Sequence, residues 1–261
     1  MKNFSFKNKI TAPVHSFESM GATDGPGVRA VVFLQGCPLK CVYCHNPDAT
    51  FFNETPQNTP QEIFEKIIKL KPFIKNGGVT ISGGEPLLYP EFCKELINLC
   101  NMENIHTAID TSGICAEKAH FDVIKTANLI LLDIKSSNDE MCEKITGQSN
   151  KNAINVLNFC NEIKKDVWIR HVVVPELTFN ENDIKDLAFL LKNYNCIKKI
   201  ELLPFHQLGK HKWENLNLEY KLNNVKPLSN QQLKQAYNWF EEEFLKNNVL
   251  FNQKTIKNVL N

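Results

Sequence analysis

The chain has 261 residues, 43% hydrophobic and 23% charged, which suits a globular protein with a sizeable buried core. Thirty lysines and arginines stand against 29 aspartates and glutamates, so a net charge of +1 gives no global pull toward nucleic acid or acidic membranes. No apolar run approaches the ~18 residues of a membrane span. The start, Met1-Lys2-Asn3-Phe4-Ser5-Phe6-Lys7, lacks the apolar core of a secretory signal, so a cytoplasmic, reducing compartment is expected.

In chain order, the first strand is expected over 28–34. Thr59-Pro60-Gln61-Glu62 then reads as a capping box with proline at the first helical position, and Ile63, Phe64, Ile67 and Ile68 follow on one helical face. Further strands are expected over 78–81, 105–110, 129–133, 167–174 and 199–203. Each is a compact Val/Ile/Leu run of the kind buried on both faces. Helices are expected over 90–102, 117–126 and 152–164, and a further one opens at Asn180 and Asp183. The last is opened by a second capping box, Ser229-Asn230-Gln231-Gln232, and runs through Phe244. Residues 1–14 read as an N-terminal extension and 252–261 as a polar, poorly ordered tail. Six strand–helix units predict an α/β fold with parallel strands and right-handed crossovers. That is a single-domain, partial (β/α)6 TIM-type barrel, two units short of closure.

Ligands of parallel α/β folds bind beyond the carboxyl ends of the strands. Directly after the first strand comes Cys37-Pro38-Leu39-Lys40-Cys41-Val42-Tyr43-Cys44, a C-x3-C-x2-C spacing. Nine cysteines cannot all pair, and clustered thiols in a reducing compartment point to metal or redox chemistry. Most of the six outside this cluster read as small buried hydrophobes. Three thiolates on one loop suit an iron–sulfur cluster with one iron left open. A zinc site is the competing reading. It lacks a second ligand pair, and His45 follows Cys44 too closely to serve as a fourth ligand.

The later strand ends carry polar groups too. Ser82-Gly83-Gly84-Glu85-Pro86 offers bare backbone and a carboxylate, which suits an ammonium-bearing ligand or a plain turn. Asp110 and Asp133 end neighbouring strands and form an acidic spot for a hard cation, or cap the helices that follow. Lys135 can pair with either aspartate or with a ligand carboxylate. Arg170 sits in an apolar strand and needs a partner. His206 ends the sixth strand and is either a ligand contact or structural. Lys198, Lys199, Lys210 and Lys212 are either a docking patch or solvated surface.

The cysteine loop resembles the radical S-adenosylmethionine (SAM) superfamily, which also carries a Gly-Gly-Glu element. His15-Ser16-Phe17-Glu18-Ser19, Asp24-Gly25-Pro26-Gly27-Val28-Arg29, Tyr43-Cys44-His45-Asn46, the 202–213 stretch and Val225-Lys226-Pro227 narrow the resemblance. Within the superfamily they are similar to the activating family for glycyl radical enzymes, in its pyruvate formate-lyase branch. The resemblance implies a [4Fe-4S] cluster on Cys37, Cys41 and Cys44. It implies SAM beside Tyr43, Cys44, His45, Gly83, Gly84, Glu85, Asp133, Ile134, Lys135, Arg170 and His206. A monovalent cation would sit at Asp110, Thr111 and Asp133, and Asp24 would receive the substrate peptide. The implied reaction is reductive cleavage of SAM to a 5′-deoxyadenosyl radical, which takes hydrogen from a glycine of pyruvate formate-lyase. A flavodoxin or ferredoxin donor and a monomeric state are implied as well. Residues 45–81 contain no cysteine, which argues against activases that carry an inserted ferredoxin-like segment there. The remaining alternatives are an activase of another glycyl radical enzyme and a non-catalytic zinc-binding adaptor.

Overall fold

The computed structural model describes residues 9–52 and 56–246; the 252–261 tail lies outside them. Its elements are β1 (Ala12–Gly21), β2 (Arg29–Leu34), β3 (Gln57–Asn58), α1 (Pro60–Leu70), β4 (Gly78–Gly83), α2 (Pro90–Met102), β5 (Thr107–Thr111) and α3 (Lys118–Thr126). They continue with β6 (Leu129–Asp133), α4 (Asp139–Thr146), α5 (Lys151–Glu162), β7 (Val167–Val173), α6 (Glu181–Leu191), β8 (Ile197–Pro204), α7 (Lys210–Asn215) and α8 (Asn230–Leu245). Both expected capping boxes form, at Thr59 before α1 and at Ser229 before α8.

One sheet runs in the order β3-β1-β2-β4-β5-β6-β7-β8. The six strands from β2 to β8 are parallel, as expected, and the sheet does not close. β1 adds to β2 antiparallel and β3 adds to β1. The sheet therefore starts inside the expected N-terminal extension, because Ala12 and Pro13 pair with Asn58 and Gln57. The free edge of β8 is occupied by α8, whose Tyr237 hydroxyl accepts from Leu202 N at 3.0 Å.

The two faces of the sheet differ. Val32, Ile81, Ile109, Leu132, Ile169 and Ile200 point outward into one apolar core with Ile63 and Ile67 of α1, Leu96 of α2, Leu187 of α6 and Phe240 of α8. The inner face departs from the expected burial on both sides. Trp168, Arg170 and Val172 of β7 are half-buried between fully buried neighbours. A closed barrel fills its interior with layers of aliphatic side chains; here Ala108, Leu129 and Leu131 pack with Trp168 in one part of it, and the rest is left to polar groups and a cavity.

Candidate functional site

The cysteine loop is fastened from three sides. Gln35 Nε2 donates to Asp48 O and Phe51 O at 2.9 and 2.8 Å. Lys40 N and Val42 N donate to Thr146 O and Ile145 O at the end of α4. From the loop after β8, Trp213 Nε1 donates to Cys44 O at 2.9 Å, and the His206 ring stacks on His45 with centroids 4.2 Å apart. Gly209 is required here, since a Cβ on it would lie 2.8 Å from His45 Cα. Cys37, Cys41 and Cys44 are all free thiols. Burial pushes Cys37 and Cys41 up to about 12 and raises Cys44 as well. Such thiols ionise only against a compensating positive charge, which a metal centre supplies.

The Gly83-Gly84 turn is pressed against this loop. Gly84 N donates to Leu34 O and Glu85 N to Gly36 O, both at 2.8 Å. A Cβ on Gly84 would lie 2.1 Å from Gly36 O, so only glycine permits the approach. Glu85 does not follow its glycines toward the ligand space. Its carboxylate is fully buried and accepts from Thr111 Oγ1 (2.6 Å), Ser112 Oγ (2.5 Å), Ser112 N (3.0 Å) and Leu87 N (3.1 Å). The Glu85 carboxylate thus cross-ties the ends of β4 and β5.

The inner ends of β5, β6 and β7 form a charge cage. Register pairs Asp133 with Arg170 across β6 and β7. The Arg170 guanidinium bonds Asp110 and approaches Asp133 Oδ1 at 3.4 Å, and Lys135 Nζ holds Asp133 Oδ2 at 2.7 Å. Ser82 Oγ donates to Asp110 Oδ2 at 2.7 Å. The two cations keep the Asp133 carboxyl below its ordinary range despite burial. Thr111 turns its hydroxyl to Glu85, and Arg170 stands between Asp110 and Asp133. Ile134 is fully buried, its amide donating to Arg170 O and its carbonyl held by His171.

A cavity of about 770 Å³ collects the rest. It is lined by Cys37, Cys41, Cys44, Tyr43 and His45 from the cysteine loop, by Gly83 and Gly84, and by Asp110, Asp133, Lys135, Arg170, His206 and Asp24. Sequence reasoning missed Trp168, Lys199 and Glu201 on its wall. Lys199 pairs with Glu201 at 2.8 Å and lies 4.8 Å from the Trp168 ring centroid. The signal was present as two-residue alternation, Trp168-x-Arg170 and Lys199-x-Glu201. The four lysines do not form one patch: Lys198 pairs with Asp166, Lys210 with Glu214 and Lys212 with Asp48.

The donor set fits an iron–sulfur cluster with SAM. Three thiols open into one cavity beside bare glycine backbone. The buried Tyr43 hydroxyl lacks a hydrogen-bond partner among the described residues, and Arg170 Nε has only its 3.4 Å approach to Asp133, which leaves donors for a ligand. Among the described residues no three His, Cys, Asp or Glu side chains converge as a single ion requires. A cluster asks for less convergence, because each cysteine binds a different iron.

The family model of the radical SAM superfamily matches residues 31–191. The chain is 43% identical over 235 residues to a pyruvate formate-lyase-activating enzyme of Clostridium pasteurianum, covering 89% of this chain and 98% of that one. It is 42% identical to the enzyme of that name from Staphylococcus epidermidis, covering 87% and 94%. A solved domain of pyruvate-formate lyase-activating enzyme from Bacteroides vulgatus superposes with a TM-score of 0.53 at 25% identity, covering 64% of this chain and 94% of that one.

Proposed function

We propose a reaction for this protein from the premise that the chain belongs to the radical SAM superfamily, and within it to the pyruvate formate-lyase-activating enzymes. It activates pyruvate formate-lyase by placing a glycyl radical on it. When bound, the [4Fe-4S] cluster and SAM supply the hard chemistry: one-electron cleavage to methionine and a 5′-deoxyadenosyl radical, which abstracts a glycine hydrogen.

The protein's residues bind, orient and shield. Cys37, Cys41 and Cys44 would hold three irons. The backbone of Gly83 and Gly84 would meet the SAM amino group, while Lys135 and Arg170 would take its carboxylate. Tyr43, His45 and His206 would line the nucleoside side, and Asp24 would receive the glycine-bearing segment. Four carboxylates line the cavity (Asp24, Asp110, Asp133, Glu201) against three cations (Lys135, Arg170, Lys199). The residual negative charge suits a ligand with an ammonium, a sulfonium and a single carboxylate. A monovalent cation at Asp110 and Asp133 enters by displacing Arg170 from one of them. No side-chain acid or base is needed, since the transferred particle is a hydrogen atom.

The observation that carries this reading is that the three cysteines of the loop open into the same cavity as the glycine turn and the arginine–aspartate cage. The electron donor is a flavodoxin or ferredoxin, because the chemistry needs the low end of the roughly −700 to +450 mV range of iron–sulfur potentials. We place the working chain in the cytoplasm as a monomer; no helix among the described residues is long and apolar enough to cross a membrane. The test is electron paramagnetic resonance of pyruvate formate-lyase after anaerobic incubation with this protein, SAM and reductant. A glycyl doublet is expected, and its absence with a fully loaded cluster overturns the proposal.

A further inference from the structure

Arg29 is the largest side chain in the described molecule with no exposed surface, and among the described residues no carboxylate pairs with it. An unpaired buried charge is expensive, so the site must use all of its hydrogen-bonding capacity. It does. Nη1 donates to Pro26 O (3.1 Å) and Gly77 O (2.7 Å), and Nη2 to Val79 O (2.6 Å) and His106 Nδ1 (3.2 Å). Nε donates to Thr80 Oγ1 at 2.6 Å, and that hydroxyl donates onward to Asp24 O, also at 2.6 Å. A guanidinium spreads five donors in a plane; a lysine ammonium in the same place could not reach both loops.

The two loops it ties are pressed together by glycines. A Cβ on Gly27 would lie 2.2 Å from Asn76 O, and one on Gly77 would lie 1.9 Å from Val28 O. Gly27 also has φ +70°, in the left-handed region. The turn 24–27 forms part of the cavity wall, and Asp24 lines the cavity on the same side as Arg170 and Asp110. A segment containing two glycines is intrinsically loose, yet hydrogen abstraction tolerates little error in the position of the donor carbon.

We propose that Arg29, acting through Thr80, is a positioning residue for the protein substrate: it fixes the 24–27 turn so that Asp24 presents its carboxylate to the glycine-bearing segment at one defined place. The inference rests on the reading that Asp24 meets the substrate. It assigns Arg29 and Thr80 to coupling, the passing of the radical to the partner, and not to SAM cleavage.

The experiment uses cluster-loaded Arg29→Lys, Thr80→Val and Asp24→Asn proteins with full-length pyruvate formate-lyase. Three quantities are read: the cluster signal with SAM bound, 5′-deoxyadenosine formed without the lyase, and glycyl radical formed per 5′-deoxyadenosine. The first two are expected at parental level in Arg29→Lys and Thr80→Val, and the ratio is expected to fall on the order of tenfold in all three variants, the scale of a small misplacement of reacting atoms. Arg29→Lys and Thr80→Val at the parental ratio overturn the inference. Should Arg29→Lys not fold, Thr80→Val decides alone, since it keeps the shape of the strand. Asp24→Asn at the parental ratio removes the underlying reading and the inference with it. An impaired Asp24→Asn beside a parental Thr80→Val removes the inference alone.

Discussion

On β7 the side chains of Val167, Ile169 and Val173 face the helices and have no exposed surface, whereas Trp168, Arg170 and Val172 face the cavity and stay half-buried. On β5 and β6 the contrast is confined to the strand ends, where Asp110 and Asp133 stay half-buried while Ala108, Leu129 and Leu131 on the same side are buried. The helix side is held by apolar area, worth roughly 25 cal/mol per Å² buried. The cavity side is held by hydrogen bonds and opposed charges that are complete only with a ligand in place. Stability and binding therefore reside in alternate residues of the same strands, and neighbouring substitutions should separate them.

The sharpest break comes on the cavity side. Cys41→Ala should abolish SAM cleavage, read as loss of 5′-deoxyadenosine after anaerobic cluster reconstitution; full turnover would refute the cluster assignment. Arg170→Met leaves Asp110 and Asp133 without their shared cation, so SAM binding should fail and stability should drop by about 3–5 kcal/mol, the cost of breaking a buried pair. Calorimetric SAM titration and urea unfolding measure the two effects. Ile169→Ala, one residue away, should cost about 2–5 kcal/mol of stability through its cavity while leaving SAM affinity within twofold. A large affinity loss in that variant would erase the division between faces.

A smaller effect follows from acid. His171 lies on the helix side, and burial pushes its pKa below the ordinary 6.5; its Nδ1 faces Ile134 O at 2.7 Å. The unfolded chain protonates near 6.5 while the folded chain does not. Stability is thus lost as pH falls from about 6.5 toward the depressed folded value, with a slope of at most ~1.4 kcal/mol per pH unit. The urea midpoint of His171→Gln should fall less between pH 7 and 5.5 than that of the parent. Smallest of all, Ser229→Ala removes the cap that accepts from Gln232 N and should cost about 1 kcal/mol with no change in turnover.

The parallel strands were legible because each β-branched run is flanked by glycine or helix signals, and the cysteine spacing was legible because three ligands lie within eight positions. β1 was not, because His15, Ser16, Glu18 and Ser19 give it no apolar run, and it is held by pairing to β2. Only Ala12, Val14 and Phe17 mark the side turned to the core. Glu85 was placed in its loop, but the burial of its carboxylate was not legible. A carboxylate after two glycines reads the same whether it faces a ligand or caps a buried turn. Lys199 was grouped with Lys198, Lys210 and Lys212 as a docking patch or solvated surface, and only strand alternation puts it on the opposite face from Lys198.

The clamp on the cysteine loop has a consequence for biosynthesis. Trp213 reaches Cys44 across 169 residues of sequence, and His206 reaches His45 across 161. During translation the thiols leave the ribosome long before the segment that encloses them exists. Iron and sulfide delivered early would meet an open, oxygen-exposed loop, so maturation must wait for the C-terminal third. Stalled nascent chains ending before residue 200 should fail to retain a cluster that chains released after α8 keep.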